Sequence, residues 1–214
     1  MDNLNFDLNF DFNKPRIHKS AQIEQQVVNS KAQKRFVKNE ERHYAAAKAL
    51  ADLCDEPKEG EQWRILTEKA FNAYAFICHL LTAGNIDELY LAIYRINEPT
   101  VAAITQMLDD GRIKHANFII SSFFNQTKKP EKWALQLAEY CASHTDRTRF
   151  VYLHNHSKVV CAKRGDAYFV FEGSGNMSDN ARIEQYLYER SKLTYDFYSA
   201  EFDKLISDYQ NKQN

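Results

Sequence analysis

Apolar and polar residues follow two different periods along most of the chain. Short apolar runs rich in β-branched and aromatic residues predict strands at residues 89–94, 114–121 and 183–188. Apolar positions spaced three and four residues apart predict helices at residues 98–108, 130–143 and 195–209. Because helices and strands alternate, the pattern predicts an α/β domain with a largely parallel central sheet.

A longer apolar stripe precedes these elements. Its members recur three and four residues apart and are Trp63, Leu66, Ala70, Phe71, Tyr74, Ile77, Cys78 and Leu81. This spacing predicts one helix that ends at Gly84 and packs against the core.

The beginning of the chain has a different pattern. Leu4, Phe6, Leu8, Phe10 and Phe12 alternate with Asn and Asp, which is the period of a strand. Two interpretations stay open for this segment. It is either a strand that pairs with a sheet edge of its own chain, a dimer mate or a protein partner, or a disordered tail.

A basic stretch follows this segment. Residues 16–46 contain seven Lys or Arg and three Glu, a net charge of +4, and residues 31–53 are rich in helix-favouring residues. This stretch is interpreted as a basic arm or as a solvated helix. Because a loop with Pro57 follows, we predict a helical and extended N-terminal arm at residues 1–55 and a folded domain at residues 56–214.

Composition narrows the class of protein. With 214 residues, 44% of them hydrophobic, the chain is long enough for one sizeable core. It lacks an apolar run of the roughly 20 residues that a membrane-spanning helix needs, and it lacks a signal-peptide pattern, so we expect a cytoplasmic protein without a membrane partner. The four cysteines have no CxxC spacing, which indicates buried, reduced thiols. The net charge of −1 restricts nucleic-acid contacts to a local patch.

Residues 151–163 predict a strand with polar side chains on one face. Residues two apart on a strand share a face, so His156 and Lys158 are expected side by side. Val159 and Cys161 then face the opposite way, towards the core.

The next segment returns the chain to this polar face. Residues 164–172 have the composition of a turn and a second strand, which completes a hairpin. Two glycines in the following four residues allow a tight backbone. The pattern therefore brings Ser174 and Asn176 towards His156 and Lys158.

These four side chains can perform chemistry together. A histidine acts as a nucleophile when one ring nitrogen is unprotonated and the other is held by an acceptor. Phosphoryl transfer otherwise needs positioning and charge stabilisation, which Lys158, Asn176 and Ser174 can supply without a metal or a cofactor. The leaving oxygen needs a proton, for which a second imidazole is the natural donor.

The segments His-Ser-Lys at residues 156–158 and Gly-Ser-Gly-Asn at residues 173–176 resemble the His-x-Lys and Gly-Ser-x-Asn signature of the phospholipase D superfamily. From about residue 62 onwards, the order of predicted elements is also similar to that of the family. The resemblance implies a phospholipase D-like α/β/α sandwich with a mostly parallel central sheet.

The resemblance also implies roles for individual residues. His156 attacks a phosphodiester phosphorus to form a phosphohistidine, while Lys158 and Asn176 hold the non-bridging oxygens. The acidic segment that orients the histidine in the family is matched around Glu184, with Glu189 as a rival.

One family feature is displaced and another is present in a single copy. The family usually has an aspartate five residues after the lysine, whereas this chain has Lys163 there and its nearest acid is Asp166. In the family, a chain with one copy of the motif builds its site from two chains across a two-fold axis. The resemblance therefore implies a homodimer in which the two copies of His156 face each other.

The function favoured by these residues is a metal-independent phosphodiesterase, specifically a nuclease that hydrolyses DNA or RNA. His154 shares the predicted strand face of His156 and is expected to line the cleft. Cationic residues predicted to flank the cleft are candidates for holding a phosphate backbone: Arg147, Arg149, Lys163, Arg164 and Arg182.

Other functions stay open. A catalytically degenerate scaffold that binds nucleic acid or protein is favoured by the displaced aspartate and the near-zero net charge. A phospholipase or phosphatidyltransferase needs a membrane-seeking surface, for which the Phe-rich start of the chain is a candidate. His154-Asn155-His156 also spells a metal-binding pair or a fragment of a His-Asn-His nuclease motif, but no second cluster of metal ligands follows at ligand spacing.

Overall fold

The computed structural model describes residues 42–68, 71–125, 130–178 and 183–213. Its strands are β1 (Gln62–Glu68), β2 (Ile86–Ile93), β3 (Ile113–Ser121), β4 (Thr148–Leu153), β5 (Lys158–Arg164), β6 (Ala167–Gly173) and β7 (Ile183–Arg190). Its helices are α1 (residues 42–51), α2 (Tyr74–Leu81), α3 (Glu98–Asp109), a short 3-10 helix (Ser122–Phe124), α4 (Lys132–Ser143) and α5 (Lys192–Gln213).

The strands form one mixed sheet in the order β1-β7-β6-β5-β2-β3-β4. β3 pairs in parallel with β2 and β4, and the other four pairings of the described strands are antiparallel. The predicted α/β class is confirmed, but the prediction of a mostly parallel sheet is wrong. For the β5–β6 hairpin the physical reason is loop length. A two-residue turn with Gly165 at φ 56° joins β5 to β6 and permits antiparallel pairing alone, whereas α3 and α4 supply the crossovers that parallel pairing needs.

Helices cover both faces of this sheet. Helices α1 to α4 lie on one face, where Phe76 and Leu137 belong to the main core. Helix α5 lies on the other face and buries Tyr195, Phe202 and Ile206 against the strands. A sheet with helices packed on both faces confirms the predicted α/β/α sandwich.

Helix α1 packs into the same core as the sheet, with Ala47 and Leu50 buried. The predicted division into residues 1–55 and 56–214 stays a prediction, because residues 1–41 lie outside the described part. The predicted N-terminal strand and most of the basic arm also lie outside it.

The predicted long helix over the first apolar stripe is wrong in its first half. Residues 62–68 form β1 instead, where Ile65 and Thr67 are buried while Leu66 is 74% exposed. Antiparallel pairing with β7 stabilises this strand, and the helical spacing of its apolar residues does not reveal that long-range partner. Helix α2 is confined to the second half of the stripe.

Apart from the strand predicted at residues 151–163, the remaining described elements agree with their predictions to within a few residues. All four cysteines are buried free thiols, as predicted, and burial raises the pKa of Cys141 to about 12. Within the described ranges, no helix combines the length and the apolar character needed to cross a membrane.

Candidate active site

The predicted strand over residues 151–163 is two strands with a crossover between them. β4 ends at Leu153 and β5 begins at Lys158, and β2 and β3 lie between them in the sheet. The intervening residues 154–157 therefore carry the chain past the carboxyl ends of β2 and β3. Alternation could not indicate this crossover, because both flanking segments are extended.

This crossover lies where the three parallel strands β2, β3 and β4 end. In open α/β sheets, ligands bind in the crevice outside the carboxyl ends of such strands. His156 is exposed at this edge. Val159 and Cys161 were predicted to face the core, and their side chains are buried in the cluster that packs against α5.

Asn155 fixes the shape of the crossover. Its Nδ2 donates to the carbonyl of Ile119 on β3 at 3.0 Å, and its Oδ1 accepts from the backbone N–H of Ser157 at 2.9 Å. This role of Asn155 was not predicted from the sequence. The preference of Asn for bonding a backbone N–H two residues later was the available signal.

The imidazole of His156 contacts two side chains. Its Nδ1 lies 3.2 Å from Nζ of Lys158, which also donates to the carbonyl of His156 at 2.8 Å. The ring centroids of His156 and Tyr94 are 4.6 Å apart, and the ammonium lies 5.3 Å from the Tyr94 centroid. Because a protonated lysine can only donate, Nδ1 of the neutral imidazole is the acceptor here and Nε2 carries the proton.

Glu184 influences this pair from a distance. Burial lowers the pKa of Lys158, and the negative charge of Glu184 opposes that change. The described hydrogen-bond partner of Glu184 is the hydroxyl of Ser174, which donates to its Oε2. The structure thus places Glu184 beside Ser174 and not against His156. Glu189 lies at the other end of β7, next to a glutamine of β1.

Ser174 is held by the start of β7. Its backbone N–H donates to the carbonyl of Gln185, and its Oγ accepts from the N–H of Gln185, both at 3.0 Å. The preceding Gly173 pairs with Tyr186, and a Cβ on it would lie 2.2 Å from the carbonyl oxygen of Gln185. A glycine is therefore needed for the close approach of β6 and β7 that positions Ser174.

Residues 94–97, the bridging segment, join the two halves of the site. The N–H of Tyr94 donates to the carbonyl of Ser157, and the N–H of Arg95 donates to Oδ1 of Asn176, both at 3.1 Å.

Met177 makes two further contacts with the bridging segment. Its N–H donates to the carbonyl of Arg95, and its carbonyl accepts from the N–H of Asn97, both at 3.1 Å. Since Oδ1 of Asn176 is an acceptor here, its Nδ2 is left to donate to a ligand.

These contacts bring the predicted groups to one end of the sheet. An imidazole, an ammonium, a hydroxyl and a carboxamide come from His156, Lys158, Ser174 and Asn176. The ammonium and the carboxamide Nδ2 can hold the oxygens of a tetrahedral or trigonal-bipyramidal phosphate beside the imidazole nitrogen, whereas the single hydroxyl hydrogen of Ser174 is donated to Glu184.

A cleft of about 530 Å³ extends from Lys158 across β6 and β7 to β1. Arg64 of β1, which is exposed, lines this cleft together with Glu172 of β6 and Leu187 of β7. Arg64 was not predicted as a site residue, because it falls inside the stripe interpreted as helical and no local pattern relates it to Lys158.

Four of the predicted phosphate-binding residues do not flank the site. Arg147 and Arg149 lie at the start of β4, at the opposite end of the sheet, where they pair with acids of α3 and α5. Lys163 and Arg164 lie at the far end of β5, and Arg164 pairs with Glu56 at 2.5 Å. The strand interpretation did not show which end of each strand the site would occupy.

The other predicted residues are placed as follows. His154 is exposed in the crossover, with no described contact to the site groups. Asp166 lies in the turn between β5 and β6, at the far end of the sheet from Lys158. Arg182 lies outside the described residues.

Comparisons with known proteins give limited similarity. No protein-family model matches the chain, and no curated protein matches it. Among solved structures, Nuc of Salmonella typhimurium, a phospholipase D family member, is 12% identical, with 67% of this chain and 93% of that chain covered and a TM-score of 0.49. Polyphosphate kinase of Porphyromonas gingivalis is 15% identical, with 69% and 26% covered and a TM-score of 0.49. TrmBL2, an archaeal chromatin protein, is 11% identical, with 90% and 70% covered and a TM-score of 0.48. At these TM-scores the similarities do not establish a relationship.

Proposed function

We propose that the chain is a metal-independent phosphodiesterase that hydrolyses nucleic acid through a phosphohistidine. The observation that carries this proposal is the bridging segment, which binds the His156 crossover and the Asn176 loop through adjacent residues. Two motifs about twenty residues apart are thereby held beside one exposed imidazole. The resemblance of the same two motifs to the phospholipase D signature supports the same chemistry.

The attack requires a change in the hydrogen bonds of His156. Nε2 must be unprotonated to bond to phosphorus, whereas the contact between Nδ1 and Lys158 favours a proton on Nε2. A phosphate oxygen that draws the ammonium away frees Nδ1 to take the proton. Nε2 then attacks, the bond from phosphorus to the leaving oxygen breaks, and Lys158 and the Nδ2 amide of Asn176 stabilise the charge on the phosphoryl oxygens.

The departing oxygen takes a proton from a second imidazole, which a second copy of the chain provides. That imidazole then takes a proton from the water that attacks phosphorus, and the phosphorus–nitrogen bond breaks to free His156. An apolar surface beside the site suits such an interface. Leu66 and Ile183, on the paired strands β1 and β7, are 74% and 65% exposed, and Ile183 directly precedes Glu184. We therefore include a homodimer with a shared site in the proposal.

The activity is tested with purified protein and labelled DNA and RNA, both single- and double-stranded, in the presence of EDTA. Wild type is expected to cleave at least one substrate, and His156→Ala is expected to lose about a thousandfold or more of that rate, because the nucleophile is gone. His154→Ala is the matched control, since it removes an exposed imidazole from the same crossover and should retain activity. Cleavage that survives His156→Ala would contradict the proposal.

A second candidate is a binding module on the same scaffold without catalysis. It is favoured by the contact of Glu184 with Ser174, because that carboxylate then does not orient the imidazole. The same experiment separates the two functions. Retention of a labelled nucleic acid without cleavage, unchanged in His156→Ala, would support the binding module.

A further inference from the structure

Aromatic rings lead from the candidate nucleophile along the carboxyl edge of the sheet. The Tyr94 centroid is 4.6 Å from that of His156 and 6.3 Å from that of Phe123. Tyr94 directly follows β2, and Phe123 lies in the short 3-10 helix that follows β3. The rings therefore extend from the site to the end of the neighbouring strand.

The two phenylalanines of this short helix differ in exposure. Phe124 is buried, with its centroid 5.3 Å from that of Trp133, and anchors the helix in the core. Phe123 is 56% exposed and meets Phe124 edge to face at 5.2 Å. The hydroxyl of Ser121 also accepts from the N–H of Phe123 at 3.4 Å. The exposed ring is thus held in place, and the stabilisation from covering it is left for a ligand.

A cation accompanies these rings. The side chain of Arg95 is exposed, and its guanidinium lies 5.8 Å from the centroid of Phe124. Positive charge that attracts phosphates, combined with exposed aromatic rings on which bases stack, is the surface by which proteins bind single-stranded nucleic acid. In a duplex, base faces are occupied by neighbouring bases and are not available to a protein ring.

The geometry points to Phe123 as a stacking platform for an unpaired base next to the phosphate at His156, so that single-stranded nucleic acid is the substrate class. This inference rests on the proposed nuclease function and adds strand selection to it. The ring of Tyr94 lies between Phe123 and His156 and so sets the distance between the stacked base and the nucleophile. Arg95 holds the backbone of the stacked nucleotide.

The experiment compares a single-stranded oligonucleotide, the same oligonucleotide with abasic sites throughout, and the corresponding duplex. Binding is measured by fluorescence anisotropy and cleavage by gel, both in EDTA, for wild type, Phe123→Ala and Phe123→Leu. Stacking of one base on an aromatic ring contributes about 1–3 kcal/mol, so Phe123→Ala should weaken binding of the single strand by about five- to one-hundred-and-fifty-fold. Phe123→Leu keeps an apolar side chain without a ring and should recover little of that loss.

The abasic strand distinguishes stacking from a structural effect. Wild type and Phe123→Ala are expected to bind it equally and weakly, and Tyr44→Ala, which removes an exposed ring on α1, should change nothing. Equal binding of intact and abasic strands by wild type, or duplex preferred over single strand, would overturn the inference while leaving the nuclease intact. Absence of binding and cleavage with every nucleic acid would overturn both.

Discussion

Replacing Gly173 with alanine tests the link between strand packing and the site. The added Cβ would lie 2.2 Å from the carbonyl oxygen of Gln185 and 2.4 Å from Cδ1 of Tyr186, so the two strands must separate by about 1 Å to restore ordinary contact. Overpacking of this kind costs about 1–3 kcal/mol. Separation also breaks the two hydrogen bonds between Ser174 and Gln185, each worth about 1 kcal/mol. The expected loss is roughly 3–5 kcal/mol of the free energy of unfolding.

Urea unfolding followed by circular dichroism measures this loss, and cleavage under native conditions measures its effect on the site. Activity should fall even in the fraction that remains folded, because Ser174 and its contact with Glu184 move together. Gly111→Ala is the matched control. Gly111 has a φ of 75° and an added methyl group would meet open space there, so backbone strain of about 1–2 kcal/mol is the expected cost. A Gly173→Ala variant as stable as Gly111→Ala would refute the reasoning about close approach.

Two further predictions concern charge and assembly. Because burial lowers the pKa of Lys158, its ammonium loses a proton at lower pH than an exposed lysine, and cleavage should decline on the alkaline side below the usual lysine range. A pH–rate profile of wild type and Lys158→Arg checks this, and the same alkaline midpoint in both would contradict it. Leu66→Asp should convert a dimer to a monomer by light scattering and lower cleavage together, whereas Leu53→Asp on the α1 side should do neither. An active Leu66→Asp monomer would argue against the shared site.

The hairpin of the site could be predicted from the sequence because its signals are local. The turn at Gly165, the β-branched and aromatic residues of β5 and β6, and the two glycines around Ser174 each act within a few residues. The prediction that Lys158 and Ser174 lie at the same end of the sheet follows from that hairpin. The contacts that fix His156, Ser174 and Asn176 there come from β7 and from the bridging segment, which local patterns do not show.

What the sequence did not reveal depends on long-range pairing. Residues 62–68 are a strand because β7 is available as a neighbour, and the crossover at residues 154–157 exists because β2 and β3 lie between β4 and β5. Arg164 was expected near the site because it is close to Lys158 in the chain, yet a six-residue step along a strand places it at the other end of the sheet. Sheet order, which local patterns do not encode, decides each of these outcomes.

The bridging segment holds the two motifs at a fixed spacing that depends little on its own side chains. Three of the four hydrogen bonds that join it to the crossover and to residues 176–177 run from main chain to main chain and do not depend on which side chain a position carries. Exchange of Arg95, exposed at its centre, would therefore leave the spacing of the two motifs unchanged and would remove only the positive charge that it offers to a ligand. Proline is the exception, since it has no amide hydrogen to offer Asn176.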